Sequence, residues 1–147
     1  METKYLKKNK NFIIASLILM GYLIIGTYIF GFIHNIGFDE KYFNSILGNI
    51  YFRFIVYYLY FIFFGVAIGF ENFLNKIGKN GKLTINWGKL LIQGIPMLYI
   101  GFHHVLYFST INFIKGISNA FFIKNEFVRV FGLIAFGYLF ITSIKRE

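Results

Sequence analysis

Two adjacent histidines, His103 and His104, are the residues of this chain best suited to proton chemistry or ligand binding. They lie within an uncharged, largely apolar stretch from Leu90 to Ile114. Imidazole changes its charge near neutral pH, and an ionisable group at the depth of a bilayer is by default a functional candidate. Neighbouring positions on a helix point about 100° apart, so the pair is poorly placed to bind one metal ion. Two interpretations stay open: a proton or ligand site, and neutral imidazoles hydrogen-bonded to a tyrosine or a backbone carbonyl.

Further polar residues share the helical face of the two histidines. At about 100° per residue, Gln93 and Tyr107 fall on the same arc, and Pro96 is expected to bend the helix and to free the carbonyl of Ile92. Two other apolar segments carry polar stripes, which include Tyr60 and Thr27. Since polar groups in membrane helices face the protein interior, we predict a buried polar site made of the following residues: His103, His104, Gln93, Tyr107 and Tyr60. The alternative is that these groups only form interhelical hydrogen bonds that hold the packing.

A second candidate site lies toward the opposite end of the apolar segments. Arg53 is about one helical turn inside its segment, and His34 follows the end of the first segment. With Asp39, Glu40 and Arg129 on the same predicted side, these residues are candidates for a vestibule that binds an anion or a lipid headgroup. The alternative is that Arg53 extends its guanidinium to the membrane interface or pairs with a loop carboxylate.

Metal and cofactor sites are not predicted. The chain has no cysteine, which excludes thiolate ligands and disulfides. Haem held by two histidines needs both ligands at one depth, whereas His34 is expected about 9 to 13 Å further along the membrane normal than His103. Metalloprotease, serine-hydrolase and phosphate-loop motifs do not occur in the sequence. We therefore expect no metal and no cofactor, and the sequence favours a protein that is not an enzyme.

Four apolar segments carry all of these residues, at about residues 12–33, 50–70, 87–114 and 127–144. Crossing a hydrocarbon core of about 30 Å takes about 20 residues of helix. The composition is 57% hydrophobic and only 14% charged, and the apolar runs are continuous rather than alternating as in a barrel. We predict an all-α membrane protein, in which residues 1–147 form one domain of four transmembrane helices in a bundle.

The basic residues predict the orientation of the four helices, because Lys and Arg are enriched in cytoplasmic loops. Ten lie on the side of the termini and the second loop, and five on the other side. The ten are Lys4, Lys7, Lys8, Lys10, Lys76, Lys79, Lys82, Lys89, Lys145 and Arg146, and the five are Lys41, Arg53, Lys115, Lys124 and Arg129. We predict that both termini are cytoplasmic. The usage of Ile, Phe, Lys and Asn is typical of an AT-rich genome, so we expect a bacterial cytoplasmic membrane.

Membrane lipids and other membrane chains are the expected partners. The net charge of +9 is explained by cations at membrane edges, which attract anionic headgroups, so no nucleic acid is expected. Gly65 and Gly69 have a spacing that permits close helix contact within or between chains. The leading hypothesis is a non-catalytic accessory or partner-binding subunit. One alternative is a transporter or permeation protein with a polar seam through the bundle. The other is a lipid- or quinone-handling enzyme that uses His103 or His104.

Overall fold

The structure is a computed structural model, and it describes residues 2–38, 50–77, 81–107 and 126–146. Side chains are described at residues 9–32, 52–77, 81–103 and 127–146. Most of the described residues are helical. In chain order the elements are α1 (Glu2–Phe38), α2 (Ile50–Ile77), β1 (Leu83–Ile85), α3 (Trp87–Lys89), a π-helical turn (Leu90–Gly94), α4 (Ile95–Tyr107), α5 (Glu126–Ser143) and β2 (Ile144–Arg146).

Two of the described helices are long and apolar enough to cross a membrane. The apolar part of α1 is Asn9–Phe32, with 24 residues and a mean hydropathy of 2.2, and that of α2 is Phe52–Ile77, with 26 residues and a mean hydropathy of 1.8. Helix α5 is also apolar but shorter. The third predicted segment starts at Trp87 as expected, and its residues 108–114 lie outside the described part. The count of four spans therefore stays a prediction.

The chain divides into two compact units, Met1–Tyr60 and Phe61–Glu147. In the N-terminal unit, α1 meets α2 through aromatic rings. Tyr22 stacks on Tyr60 with 5.0 Å between ring centroids, and Phe30 meets Tyr60 edge-on at 4.7 Å. Gly26 permits this contact, because a Cβ atom there would overlap the ring of Tyr60. Offset-stacked and edge-to-face geometries are the arrangements that aromatic rings prefer.

In the C-terminal unit, α2 and α5 approach closely through glycines. A Cβ atom on Gly65 would overlap the backbone of Ile134, and one on Gly137 would overlap the backbone of Ile62. Gly69 faces the side chain of Ile141. The predicted use of Gly65 and Gly69 for close helix contact is confirmed within the chain. Paired residue numbers rise together along the two helices, so α2 and α5 run parallel.

Helix α4 runs antiparallel to α5. Gly101 lies against Leu133, and a Cβ atom on Gly132 would come within 2.8 Å of the backbone nitrogen of Gly101. Leu133 is completely buried and lies at the centre of this contact. The small residues at 101 and 132 permit this approach, as in membrane helix pairs where dispersion contacts between backbones replace hydrophobic burial.

The π-helical turn Leu90–Gly94 precedes Pro96. Proline has no backbone N–H and its ring crowds the preceding turn, and wider π-helical turns inside α-helices often occur where the regular hydrogen-bond pattern is interrupted. The sequence predicted an interruption at Pro96, and the structure has one directly before it. The expected bend stays a prediction.

Two three-residue strands close one end of the C-terminal unit. Strands β1 and β2 pair antiparallel, with Leu83 opposite Arg146, Thr84 opposite Lys145 and Ile85 opposite Ile144. The prediction of an all-α chain is therefore incomplete, since the second loop and the chain end form a small sheet. β-branched residues favour extended backbone, and backbone groups just beyond the helices need partners.

Candidate functional site

His103 is buried in the C-terminal unit, with only 3% of its surface exposed. Its Nδ1 atom lies 2.7 Å from the carbonyl oxygen of Ile100, one turn earlier in α4. A carbonyl oxygen only accepts hydrogen bonds, so Nδ1 carries the proton and donates it. In the neutral ring, Nε2 is then the acceptor. The geometry matches the interpretation in which the imidazole is hydrogen-bonded to a backbone carbonyl, although the carbonyl is that of Ile100 and not that of Ile92.

Arg129 is buried as well, with 8% of its surface exposed. The sequence placed it at the membrane edge, beside Arg53. Gly132, one turn after Arg129, lies against Gly101, and α4 and α5 are antiparallel. This register brings Arg129 and His103 to the same level of the two helices. A buried charged residue in a membrane helix marks a functional or a specifically paired position.

Sequence reasoning missed Arg129 as an interior residue, although its position carried a signal. Gly132 and Leu133 follow it at spacings of three and four, which places them on the face of Arg129. Leu133 is fully buried and Gly132 lies against α4. Arg129 shares the face of α5 that packs against α4, and this face explains its burial although it lies near the start of the helix.

The other predicted members of the buried site are placed differently. Gln93 is exposed in the C-terminal unit, and its membership of a buried polar site stays a prediction. The predicted common face assumed a regular helix with about 100° per residue. The π-helical turn Leu90–Gly94 changes the angle between Gln93 and His103 around the helix axis. The side chains of His104 and Tyr107 lie outside the described residues, so their role stays a prediction.

Tyr60 belongs to the N-terminal unit, where its ring packs against Tyr22 and Phe30. Its backbone carbonyl accepts a hydrogen bond of 2.6 Å from the hydroxyl of Tyr22. A phenol hydroxyl in an apolar setting gains from such a partner. These contacts give Tyr60 a packing role within its own unit, and its predicted membership of the buried polar site is untested.

The polar stripe of the first segment differs from the prediction. Thr27 is exposed, and its hydroxyl donates to the carbonyl of Leu23 in its own helix at 2.9 Å. A hydroxyl that is satisfied by the preceding turn needs no interior partner. On the opposite predicted side, Arg53 is half-buried, whereas Asp39, Glu40 and the side chain of His34 lie outside the described residues. The vestibule therefore stays a prediction.

Basic side chains donate hydrogen bonds to the ends of helices at the sheet end of the C-terminal unit, which consists of β1, β2 and the first turn of α3. The Lys76 ammonium, in the last turn of α2, donates to the carbonyls of Thr142 and Ile144, each at 2.7 Å. The Arg146 guanidinium donates in turn to the carbonyl of Ile77, the last residue of α2, and to that of Gly81 at 2.6 Å. Helix α2 thus supplies a cation to the carboxyl end of α5, and strand β2, which follows α5, supplies one to the carboxyl end of α2, where each helix dipole is negative.

This sheet end also holds the start of α3. The side chain of Asn86 accepts a hydrogen bond from the backbone of Lys89 and so caps the start of this helix. The backbone N–H of Asn86 donates to the carbonyl of Ser143 at 2.8 Å. The Lys89 ammonium donates to the hydroxyl of Thr142 at 2.9 Å. The second loop and the C-terminal strand are therefore joined by side-chain and backbone hydrogen bonds.

Metal-ligating side chains do not gather in groups of three or more within the part of the chain that the structure describes. The described residues include the buried imidazole of His103, the buried guanidinium of Arg129 and the basic side chains at the sheet end. The chain matches no protein-family model, no curated protein and no solved structure.

Proposed function

We propose that this chain is a small multi-pass protein of the bacterial cytoplasmic membrane, with no catalytic role of its own, that binds other membrane chains through its helices. The apolar surface of α1 supports this proposal most directly. Large side chains remain uncovered along a 24-residue apolar helix, with Leu17 64% and Tyr28 75% exposed. Such a surface requires lipid or another helix as its neighbour.

Gly21 gives the exposed side of α1 a feature that suits a partner helix. A Cβ atom at Gly21 would meet nothing within 4 Å. Small residues permit close backbone approach between membrane helices, and among the residues that the structure describes none occupies the space beside Gly21. The partner is therefore proposed to pack against α1 near this residue.

A four-span topology with both termini cytoplasmic is part of the proposal. Helices α2 and α5 run parallel, and the loop after α2 pairs with the strand after α5. This pairing supports a common side for the second loop and the C-terminus, which is also the side that the excess of basic residues predicts as cytoplasmic.

Transport or permeation is the second candidate function. It is favoured by two buried ionisable residues, Arg129 and His103, that lie at the same level of α5 and α4. Ionisable groups inside membrane proteins often mark substrate or ion pathways. Against this function, the Nδ1 proton of His103 is held by the backbone carbonyl of Ile100, as in a structural histidine. This leaves the binding of other chains as the better supported function.

Native mass spectrometry of the chain, extracted from its own membrane in mild detergent, tests the proposal. Partner chains of a different mass are expected with the wild type and with the matched control Gly31→Leu, another open position on α1. Gly21→Leu is expected to lower partner occupancy by about tenfold, since about 1.4 kcal/mol of lost packing has that effect. A stable homo-oligomer without other chains would instead favour transport, and a monomer in every preparation would contradict both functions.

A further inference from the structure

The outer face of the sheet end carries an exposed apolar row. Leu83 and Ile85 are two residues apart in β1, so their side chains lie on one face of the strand. Both are exposed, as is Trp87 just beyond them, which is 60% exposed. Thr84, between them, points the other way and its hydroxyl is buried. A two-stranded sheet is only marginally stable in water, and this one leaves its large apolar residues uncovered.

Positive charge surrounds this row. Lys82 precedes β1 and is exposed, Lys89 follows in α3, and Lys145 and Arg146 belong to β2. The sequence contains no acidic residue from Asn72 to Asn125 or from Phe127 to Arg146. Within a distance of about 10 Å, the screening length at ordinary ionic strength, these cations act together. The described residues of this surface are thus both apolar and cationic.

Tryptophan at position 87 suits this setting. Trp and Tyr are enriched at the level of the lipid headgroups, because the indole ring is apolar and its N–H needs a polar partner. Clusters of Lys and Arg next to membrane helices attract anionic lipids. A protein partner would have to match both the apolar row and the cations, whereas an anionic bilayer surface offers acyl chains directly below negative phosphates.

We propose that the sheet end, made of β1, β2 and the first turn of α3, lies in the headgroup layer and binds anionic phospholipid, with Leu83, Ile85 and Trp87 inserted at the level of the upper acyl chains. The hydrogen bonds of Lys76 and Arg146 to the helix ends hold the sheet in place. Lys82, which is exposed at the start of β1, faces the lipid phosphates. The proposal rests on membrane residence and extends it to one class of lipid.

Trp87 is the single tryptophan of the chain, so its fluorescence reports on this surface directly. The chain is reconstituted in phosphatidylcholine vesicles that contain a minority of brominated lipid, which quenches indole on contact. The quencher is either phosphatidylglycerol or phosphatidylcholine, brominated either near the headgroup or near the chain end. We expect stronger quenching by lipid brominated near the headgroup, and stronger quenching by phosphatidylglycerol than by phosphatidylcholine. High salt should reduce this preference.

Lys82→Gln should lower the preference for phosphatidylglycerol by about two- to fivefold, as expected for one basic residue at an anionic surface. Lys82→Arg is the matched control, because it keeps the positive charge at the same exposed position, and it should leave the preference unchanged. Circular dichroism checks that both variants keep their fold. Equal quenching by the two headgroups, or an equal effect of both variants, would overturn the proposal.

Two further outcomes of the experiment distinguish a failure of the lipid-binding proposal from a failure of the membrane assignment itself. A chain that fails to float with the vesicles would contradict membrane residence itself. A chain that floats, but whose Trp87 is quenched by neither lipid or mainly by lipid brominated near the chain end, would leave residence intact and overturn the placement in the headgroup layer. Absence of quenching would then point to a protein partner on this surface.

Discussion

At the scale of single residues, the hydrogen bond from His103 to Ile100 determines which ring nitrogen carries the proton. Nδ1 donates to the backbone, so Nε2 is the acceptor in the neutral ring. The bond also orients the ring within a contact where only 3% of the side-chain surface is exposed. A buried imidazole held in this way has lost much of its rotational freedom, which suits a packing role and equally a site that needs one defined tautomer.

Substitutions at His103 can separate the two ring positions. The amide nitrogen of asparagine is attached like Nδ1, so His103→Asn keeps a donor for the carbonyl of Ile100, whereas His103→Ala removes the donor and leaves a cavity. We expect His103→Ala to lower the free energy of unfolding by about 2 to 3 kcal/mol, and His103→Asn by about 1 kcal/mol less. Reversible unfolding in mixed micelles measures both.

Gln93→Ala is the control for His103, because Gln93 is exposed, and its effect should stay within about 0.5 kcal/mol. Equal losses for His103→Asn and His103→Ala would show that the bond to Ile100 contributes nothing. A variant His103→Asn that folds normally but no longer supports growth would indicate a functional rather than a structural histidine.

At the scale of elements, glycines determine how closely α5 approaches its neighbours. Gly65 and Gly137 meet the opposite backbones of α5 and α2, and Gly101 and Gly132 meet each other between α4 and α5. Within lipid, helices gain little from apolar burial against each other, so close contact and dispersion must hold them. Helix α5 contacts both α2 and α4 through these glycines and is therefore the central element of the C-terminal unit.

Adding one methyl group at these glycines should distinguish the contact face from the open face. Gly65→Ala forces α2 and α5 apart, because the new Cβ overlaps the backbone of Ile134, and we expect a loss of about 1 to 3 kcal/mol in the free energy of unfolding. Gly21→Ala meets open space and should be neutral or slightly stabilising, since alanine has the higher helix propensity. Unfolding in mixed micelles compares the two, and equal losses would contradict the helix contact described here.

The elements that the sequence predicted well are those governed by local pattern. Continuous apolar runs predicted α1 and α2, and Gly65 with Gly69 predicted a close contact. The small sheet was not predicted, because the pairing of Leu83 with Arg146 joins residues far apart in sequence. The burial of Arg129 was missed because it depends on which face of α5 packs against α4.

At the scale of the whole molecule, positive charge serves two purposes at one place. Lys76 and Arg146 bond to the carboxyl ends of the parallel helices α5 and α2, which stabilises those ends against the helix dipole. The same cations belong to the group of ten that predicts the cytoplasmic side. The charges that hold the C-terminal unit together are thus among those that would direct its insertion.

Topology is the prediction that concerns the molecule as a whole. Reporter domains fused after Glu147 and inserted at Gly81 should both read cytoplasmic, because ten basic residues lie on that side against five on the other and because β1 pairs with β2. A reporter inserted after Lys124 serves as the control and should read external. A charge change tests whether the basic residues determine the orientation. The double variant Lys76→Gln, Lys89→Gln lowers the number of basic residues on the predicted cytoplasmic side from ten to eight, and the reporter at Gly81 should then read cytoplasmic in some molecules and external in others. Opposite signals at Gly81 and Glu147 in the unaltered chain would contradict both the topology and the sheet, since paired strands cannot lie on opposite sides of a bilayer.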